Sequence, residues 1–172
     1  MIFAIVLNVT AGLGAFLMGF LDDVIGGKKT IQISNIGLIV ACIIAVLSPH
    51  KDLFVLSIPL IGDVMITGKI MFWISGVLIG TFSGPNQAAS RSLMARFVPI
   101  DKTNEFFGFF AFSGKITAFL GPFLLAQITY ISFKYFHLSE ATAQRLGVSV
   151  VLLLLLVGSS VLHFVDEKEA VE

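Results

Sequence analysis

Five apolar stretches, residues 2–21, 30–47, 70–95, 106–132 and 146–165, fill most of this 172-residue chain, with its polar residues gathered mainly between them. A helix rises 1.5 Å per residue, so about 20 residues cover the ~30 Å hydrocarbon core of a bilayer. Backbone groups in that core find no water, so only helices or a closed barrel can cross it. The stretches lack the roughly ten-residue alternation of apolar and polar positions that marks a barrel strand. The expected fold is therefore an all-α membrane protein with about five transmembrane helices, forming a single bundle over residues 1–172. Composition agrees: 56% of residues are hydrophobic and only 13% are charged, against ~25% charged in a soluble domain. Seventeen phenylalanines and the apolar run 148–157 would not all fit inside one soluble core of this size.

The connections are short and polar. Residues 22–29 join the first two stretches, and Ser48, Pro49, His50, Lys51 and Asp52 end the second. Residues 53–62 are apolar but too few to span, and Pro59 interrupts them, so an interfacial or re-entrant piece is expected. Residues 99–105 form a tight link, 134–145 a loop, and 166–172 an acidic tail. Placing 22–29, 99–105 and the tail in the cytoplasm puts Lys28, Lys29, Arg91, Arg96, Lys102 and Lys168 on that side. Lys51, Lys69, Lys134 and Arg145 then face outward, a modest excess of inner cations. This orientation leaves Met1 outside with nothing to carry it there, as expected of a piece of something longer. No basic, small-residue leader pattern precedes the first polar break, so a cleaved signal peptide is not expected. The formal net charge is zero, and nothing points to a nucleic-acid partner. Cys42 lies in an apolar run and is expected to be a small buried hydrophobe.

Two stretches carry chemistry. In the third, Gly80, Gly84, Gln87 and Arg91 fall on one helical stripe, flanked by Ser83, Asn86 and Ser90. Small and polar residues suit a neighbouring helix or a wet cavity better than lipid. Pro85 removes one backbone hydrogen bond and can kink the helix. In the fourth, Gly108, Ala111, Lys115, Ala118 and Pro122 form a matching stripe, widened by Gly114 and Gly121. Phe106, Phe109, Phe110, Phe112, Phe119 and Phe123 are expected opposite it, toward lipid. Lys115 is the single charge of 106–132, and a cation near mid-bilayer costs between ~2.5 and more than ~10 kcal/mol. Ten residues separate it from Glu105, or ~15 Å of helix. If the third and fourth helices form an antiparallel hairpin, Lys115 and Gln87 share a level, and Lys115 can donate to the Gln87 or Asn86 amide oxygen. The alternative is a lysine stem that snorkels to the interface.

Asn86, Gln87, Arg91 and Lys115 are thus the candidate pathway residues. Neither stretch holds a carboxylate to balance Lys115; Asp63, the nearest acid with apolar flanks, lies in the second connection. Arg96 is expected to reach lipid phosphates. His50 and His137 fall in outer loops and His163 at a helix end, each an interface residue rather than a ligand. With no paired carboxylates, Ser–His arrangement or histidine-rich set at membrane depth, no catalytic residues, metal, cofactor or enzymatic activity are expected.

Gly19, Leu21, Asp23, Gly26, Lys28 and Lys29 stand at the spacing G-x-L-x-D-x-x-G-x-K-K, with Asp23 able to cap or face the positive end of the next helix. This spacing resembles the signature loop of the major facilitator superfamily; Val24 and Gly27 replace two of its usual basic positions. Residues 87–92, then 105–109, Ser113, Gly114, Lys115, Gly121 and Pro122, are similar to a narrower branch, the vacuole-effluxer-like permeases. That branch is related to amino-acid effluxers of the fungal vacuole. The resemblance, covering 19–165, implies most of a C-terminal six-helix bundle: helices eight to twelve of a twelve-helix transporter. It implies gradient-driven passage of a small solute, amino acids among the candidates, by alternating access. The Gly19–Asp23–Gly26–Lys28–Lys29 loop would be the cytoplasmic gate. The implied partners are the lipid bilayer, the solute, and a missing N-terminal helical half or a second chain. The implied location is the cell membrane, or a vacuolar membrane in a eukaryote. A non-transporting module that packs with a partner bundle is the other expectation.

Overall fold

The computed structural model describes residues 1–48, 54–58, 62–66 and 68–165. Five long helices dominate: α1 (Ile2–Ile25), α2 (Gly27–Leu47), α3 (Gly68–Phe97), α4 (Thr103–Lys134) and α5 (Glu140–His163). Four of them, all but α3, are long and apolar enough to cross a membrane. The fold is the expected α-helical membrane protein, with one short strand pair besides, and the helices overrun the apolar stretches at several ends. His50, Lys51, Pro59 and the tail 166–172 lie outside the described residues.

Two expectations need correction, and a third gains detail. The polar stretch 22–29 is not a loop. Asp22 and Asp23 close the last turn of α1, Lys28 and Lys29 open α2, and Gly26 alone stands between the helices. Its φ of 88° is a conformation that glycine takes without the Cβ penalty other residues meet. Phe54–Ile58 (β1) and Gly62–Ile66 (β2) pair as antiparallel strands, in which Phe54 faces Ile66 and Ile58 faces Gly62. Cross-strand pairing gives backbone groups their partners where the segment is too short for a spanning helix. The presumed loop 134–145 shrinks to five residues, because α5 begins at Glu140. Ser139 caps it by accepting from the Thr142 N–H, with Glu140 in the first turn where the helix dipole favours an anion.

The helices lie in the spatial order α1, α3, α2, α5, α4. Helices α1 and α2 pack along α3, while α5 packs on α2 and on α4. The interior is made of small and polar residues: Thr30, Ser34, Asn35, Ala41 and Cys42 of α2, and Ser75, Pro85 and Ala89 of α3 are buried. Within a membrane, close van der Waals approach and interhelical hydrogen bonds hold helices together, and small side chains permit both. The α1–α3 seam shows this directly. A Cβ at Gly14 would overlap the Thr81 carbonyl, one at Gly80 the Thr10 hydroxyl, and one at Gly84 the Ala11 carbonyl. Pro85 sits inside α3, buried, without interrupting it. Having no N–H, it leaves the Thr81 carbonyl without its usual helical donor, and that carbonyl is the one against which Gly14 packs.

Candidate functional site

Helices α3 and α4 follow one another in the chain but diverge after a single 3-10 turn, Ile100–Lys102. They leave an open cleft of about 610 Å³ between them. Its α3 wall is Asn86, Gln87, Ser90 and Arg91; its α4 wall includes Phe110, Ser113, Gly114, Thr117 and Ala118. The structure thus brings three of the four expected pathway residues together. It also adds Ser90, Ser113 and Thr117, whose hydroxyls at helix-periodic positions were the signal in the sequence. Each of these hydroxyls donates back into its own helix: Ser90 to the Asn86 carbonyl (2.7 Å), Ser113 to Phe110 (2.9 Å), Thr117 to Ser113 (2.9 Å). A hydroxyl has one proton to donate and two lone pairs, so what remains for a solute is acceptor oxygen. Arg91 supplies the one cationic group of the cleft wall. The cleft therefore offers donors from a guanidinium and acceptors from hydroxyls and amides.

Asn86 has a partner that sequence reading missed. Its Nδ2 donates to Oδ1 of Asn35 on α2, at 2.6 Å. Asn35 is 8% exposed. An asparagine in the middle of an apolar stretch was the available signal, since such a residue is retained in a membrane helix when it has a partner.

Lys115 is not where the hairpin argument put it. It is exposed, and neither Gln87 nor Asn86 receives a hydrogen bond from it; among the described residues it has no hydrogen bond or ion pair. The reason is architectural. Helix α5 sits between α2 and α4, so α4 stands across a cleft from α3 instead of packing along it. The small stripe of α4 is correspondingly open: a Cβ at Gly108, Gly114 or Gly121 would meet nothing within 4 Å. Phe110 turns into the cleft wall, whereas Phe109, Phe112 and Phe119 are exposed as expected.

The α1–α2 junction is held by tertiary contacts. Asp22, rather than Asp23, faces Arg96 of α3, at 3.9 Å. The second oxygen of Asp22 is buried without a hydrogen-bond partner. Both aspartates line a 290 Å³ pocket with Gly19, Thr30, Pro85 and Ser92. Asp23 makes no cap: Gly26 is the N-cap of α2, with no side-chain hydrogen bond. Lys28 Nζ donates to the His163 carbonyl (2.9 Å) and to that of Val165, at the end of α5. At the other end of the same antiparallel pair, Arg145 of α5 donates to the Ser48 carbonyl, at the end of α2. Lys29 is exposed. These contacts put the α1–α2 junction and the C-terminal ends of α3 and α5 at one end of the bundle, the grouping expected from the sequence.

A bundle of long, mostly apolar helices around a small-residue interior, with a polar cleft between two of them, is the architecture of a multi-pass membrane protein. The profile of the family described as "Vacuole effluxer Atg22 like" matches residues 1–172, and the chain belongs to that family. It is 36% identical over 101 residues to the "Uncharacterized MFS-type transporter YxiO" of Bacillus subtilis (strain 168), a stretch that is 59% of this chain and 22% of that protein. The match thus spans about a fifth of that relative's length. No solved structure matches. The resemblance read from residues 19–29, 87–92 and 105–122 is therefore confirmed at the level of the family, and this is a multi-pass membrane protein of a transport family.

Proposed function

We propose that the chain forms part of a secondary transporter that moves a small solute by alternating access, with the α3–α4 cleft as a wall of its pathway. The observation that carries this is the cleft itself: one guanidinium, Arg91, beside amide and hydroxyl oxygens, on facing walls of α3 and α4. That set suits a zwitterion. A guanidinium pairs with a carboxylate, and acceptor oxygens take the protons of an ammonium. Amino acids are accordingly the first solutes to try, and export is the direction that the family description favours. Helix α3 crosses the membrane with its neighbours, packed against α1 and α2, with its polar side turned to the cleft. The Gly26 junction, with Gly19, Asp23, Lys28 and Lys29, faces the cytoplasm and gates that side. The bilayer is the cell membrane, or that of a vacuole in a eukaryote, and the activity is transport rather than catalysis.

A second reading has its own observation. The open stripe on α4 suits packing with further helices, supplied by a longer product or a second chain, and a module of that kind need not transport alone. The discriminating experiment is uptake or counterflow of radiolabelled L-amino acids by the full-length gene product in proteoliposomes. Saturable transport that collapses in Arg91→Ala supports the first reading. A stable, correctly inserted protein that carries none of them supports the second.

A further inference from the structure

The Asn35–Asn86 contact links the cleft to a helix that does not line it. Asn86 is a wall residue, half-buried on α3; Asn35 belongs to α2 and is buried behind it. We infer that Asn35 is a positioning residue for the pathway: it accepts from the amide nitrogen of Asn86 from behind and so holds that amide in place in the wall. The inference presupposes the solute pathway proposed above and adds to it a residue outside the wall.

A carboxamide is planar, with its nitrogen and oxygen on opposite branches of Cγ. With Nδ2 committed to Asn35 at 2.6 Å, the Asn86 oxygen is directed away from α2 and is left as an acceptor. Without that partner the amide is free to rotate about a broad, roughly two-fold torsion, presenting donor or acceptor by turns. With Asn86 accepting, its oxygen joins the hydroxyl acceptors of Ser90, Ser113 and Thr117, apart from the donors of Arg91. In this arrangement Asn86 offers the solute an acceptor, suited to a group that donates, an ammonium or amide N–H. The contact is partly buried, where a hydrogen bond is stronger than in water, and it holds the Asn86 side chain in place.

Full-length protein in proteoliposomes tests this with radiolabelled proteinogenic L-amino acids, supplied one at a time. For the amino acid carried best, Asn35→Leu should raise KM about tenfold, the loss of one well-placed hydrogen bond, with the maximal rate per inserted protein little changed. Asn35→Asp, whose carboxylate only accepts, should restore KM toward the native value. In an Asn86→Ala background, Asn35→Leu should add nothing to KM, because the two residues act as one unit. An unchanged KM in Asn35→Leu, a failure of Asp to rescue, or additive effects in the double variant would each overturn the inference. If the leucine variant does not accumulate, the Asp rescue and side-chain amide NMR of the native protein decide it. Slow solvent exchange of the Asn86 amide protons, lost in Asn35→Ala and kept in Asn35→Asp, supports it; fast exchange in the native protein refutes it. Absence of uptake of every amino acid by the native protein defeats the transport reading instead, and the NMR measurement still settles whether Asn35 orients Asn86.

Discussion

Helices α3 and α4 look alike as sequences and differ as structures. Each is a long helix with an internal proline and a stripe of small residues that carries one strongly basic residue. On α3 the stripe divides. Gly80 and Gly84 lie against α1 so closely that any side chain would overlap backbone or the Thr10 hydroxyl, while Gln87 and Arg91 continue past the seam into the cleft. On α4 the glycines face open space, and Lys115 stands exposed beside them. A small-residue stripe permits close approach between helices; it does not by itself bring a neighbour.

The sharpest way to break this contrast is to fill both stripes. Gly80→Leu should cost about 3 kcal/mol or more, since overpacking against backbone has nowhere to relax, and the protein should fail to accumulate or melt much lower in a detergent thermal-shift assay. Gly108→Leu, with nothing near its Cβ, should stay within about 0.5 kcal/mol in this chain alone. An equally damaging Gly108→Leu in the full-length product would show that other helices cover α4 there.

The two cations come next. Arg91→Ala should lower transport about tenfold or more, the loss of a charge-assisted contact to solute. Lys115→Ala should have a smaller effect unless a segment outside this chain buries that lysine. Abolished transport in Lys115→Ala would restore it to the pathway, and unchanged kinetics would remove it.

A smaller effect concerns the ends of α2 and α5. Lys28 and Arg145 each supply a cation to the C-terminal carbonyls of the other helix, where the macrodipole favours positive charge. Lys28→Met or Arg145→Met should each lower stability by about 1 kcal/mol, read as a modest shift in melting temperature. Smallest of all is the Asp22–Arg96 pair. Asp22 stands at a helix C-terminus, the end that disfavours anions, and its partner Arg96 is more than a third exposed. Asp22→Asn should change stability by less than about 1 kcal/mol, so a large loss of transport in that variant would have to come from gating.

Much of this was legible beforehand. The apolar stretches gave the helices, and the glycine, aspartate and lysine spacing at 19–29 together with residues 87–92 and 105–122 gave the family. Cys42 is free and buried, as its apolar run predicts. The polar stretch 22–29 misled because charges usually mark a loop. Here Asp22 and Lys28 sit at helix ends that the dipole makes unfavourable for them, and each is compensated by a contact from a distant helix, Arg96 or the end of α5. No local pattern carries that information. The Lys115–Gln87 pairing failed for a related reason. Equal depth along two consecutive helices fixes height but not separation.

What the chain's own chemistry determined was the solvent it folds in and the lengths of its helices, because apolar runs of spanning length and the lack of backbone partners in lipid leave no other solution. Which faces meet was decided only by the packed bundle. The insertion of α5 beside α2 opened the cleft between α3 and α4, exposed Lys115, and set Asn35 behind Asn86, since contacts between helices depend on three-dimensional order that no single helix encodes.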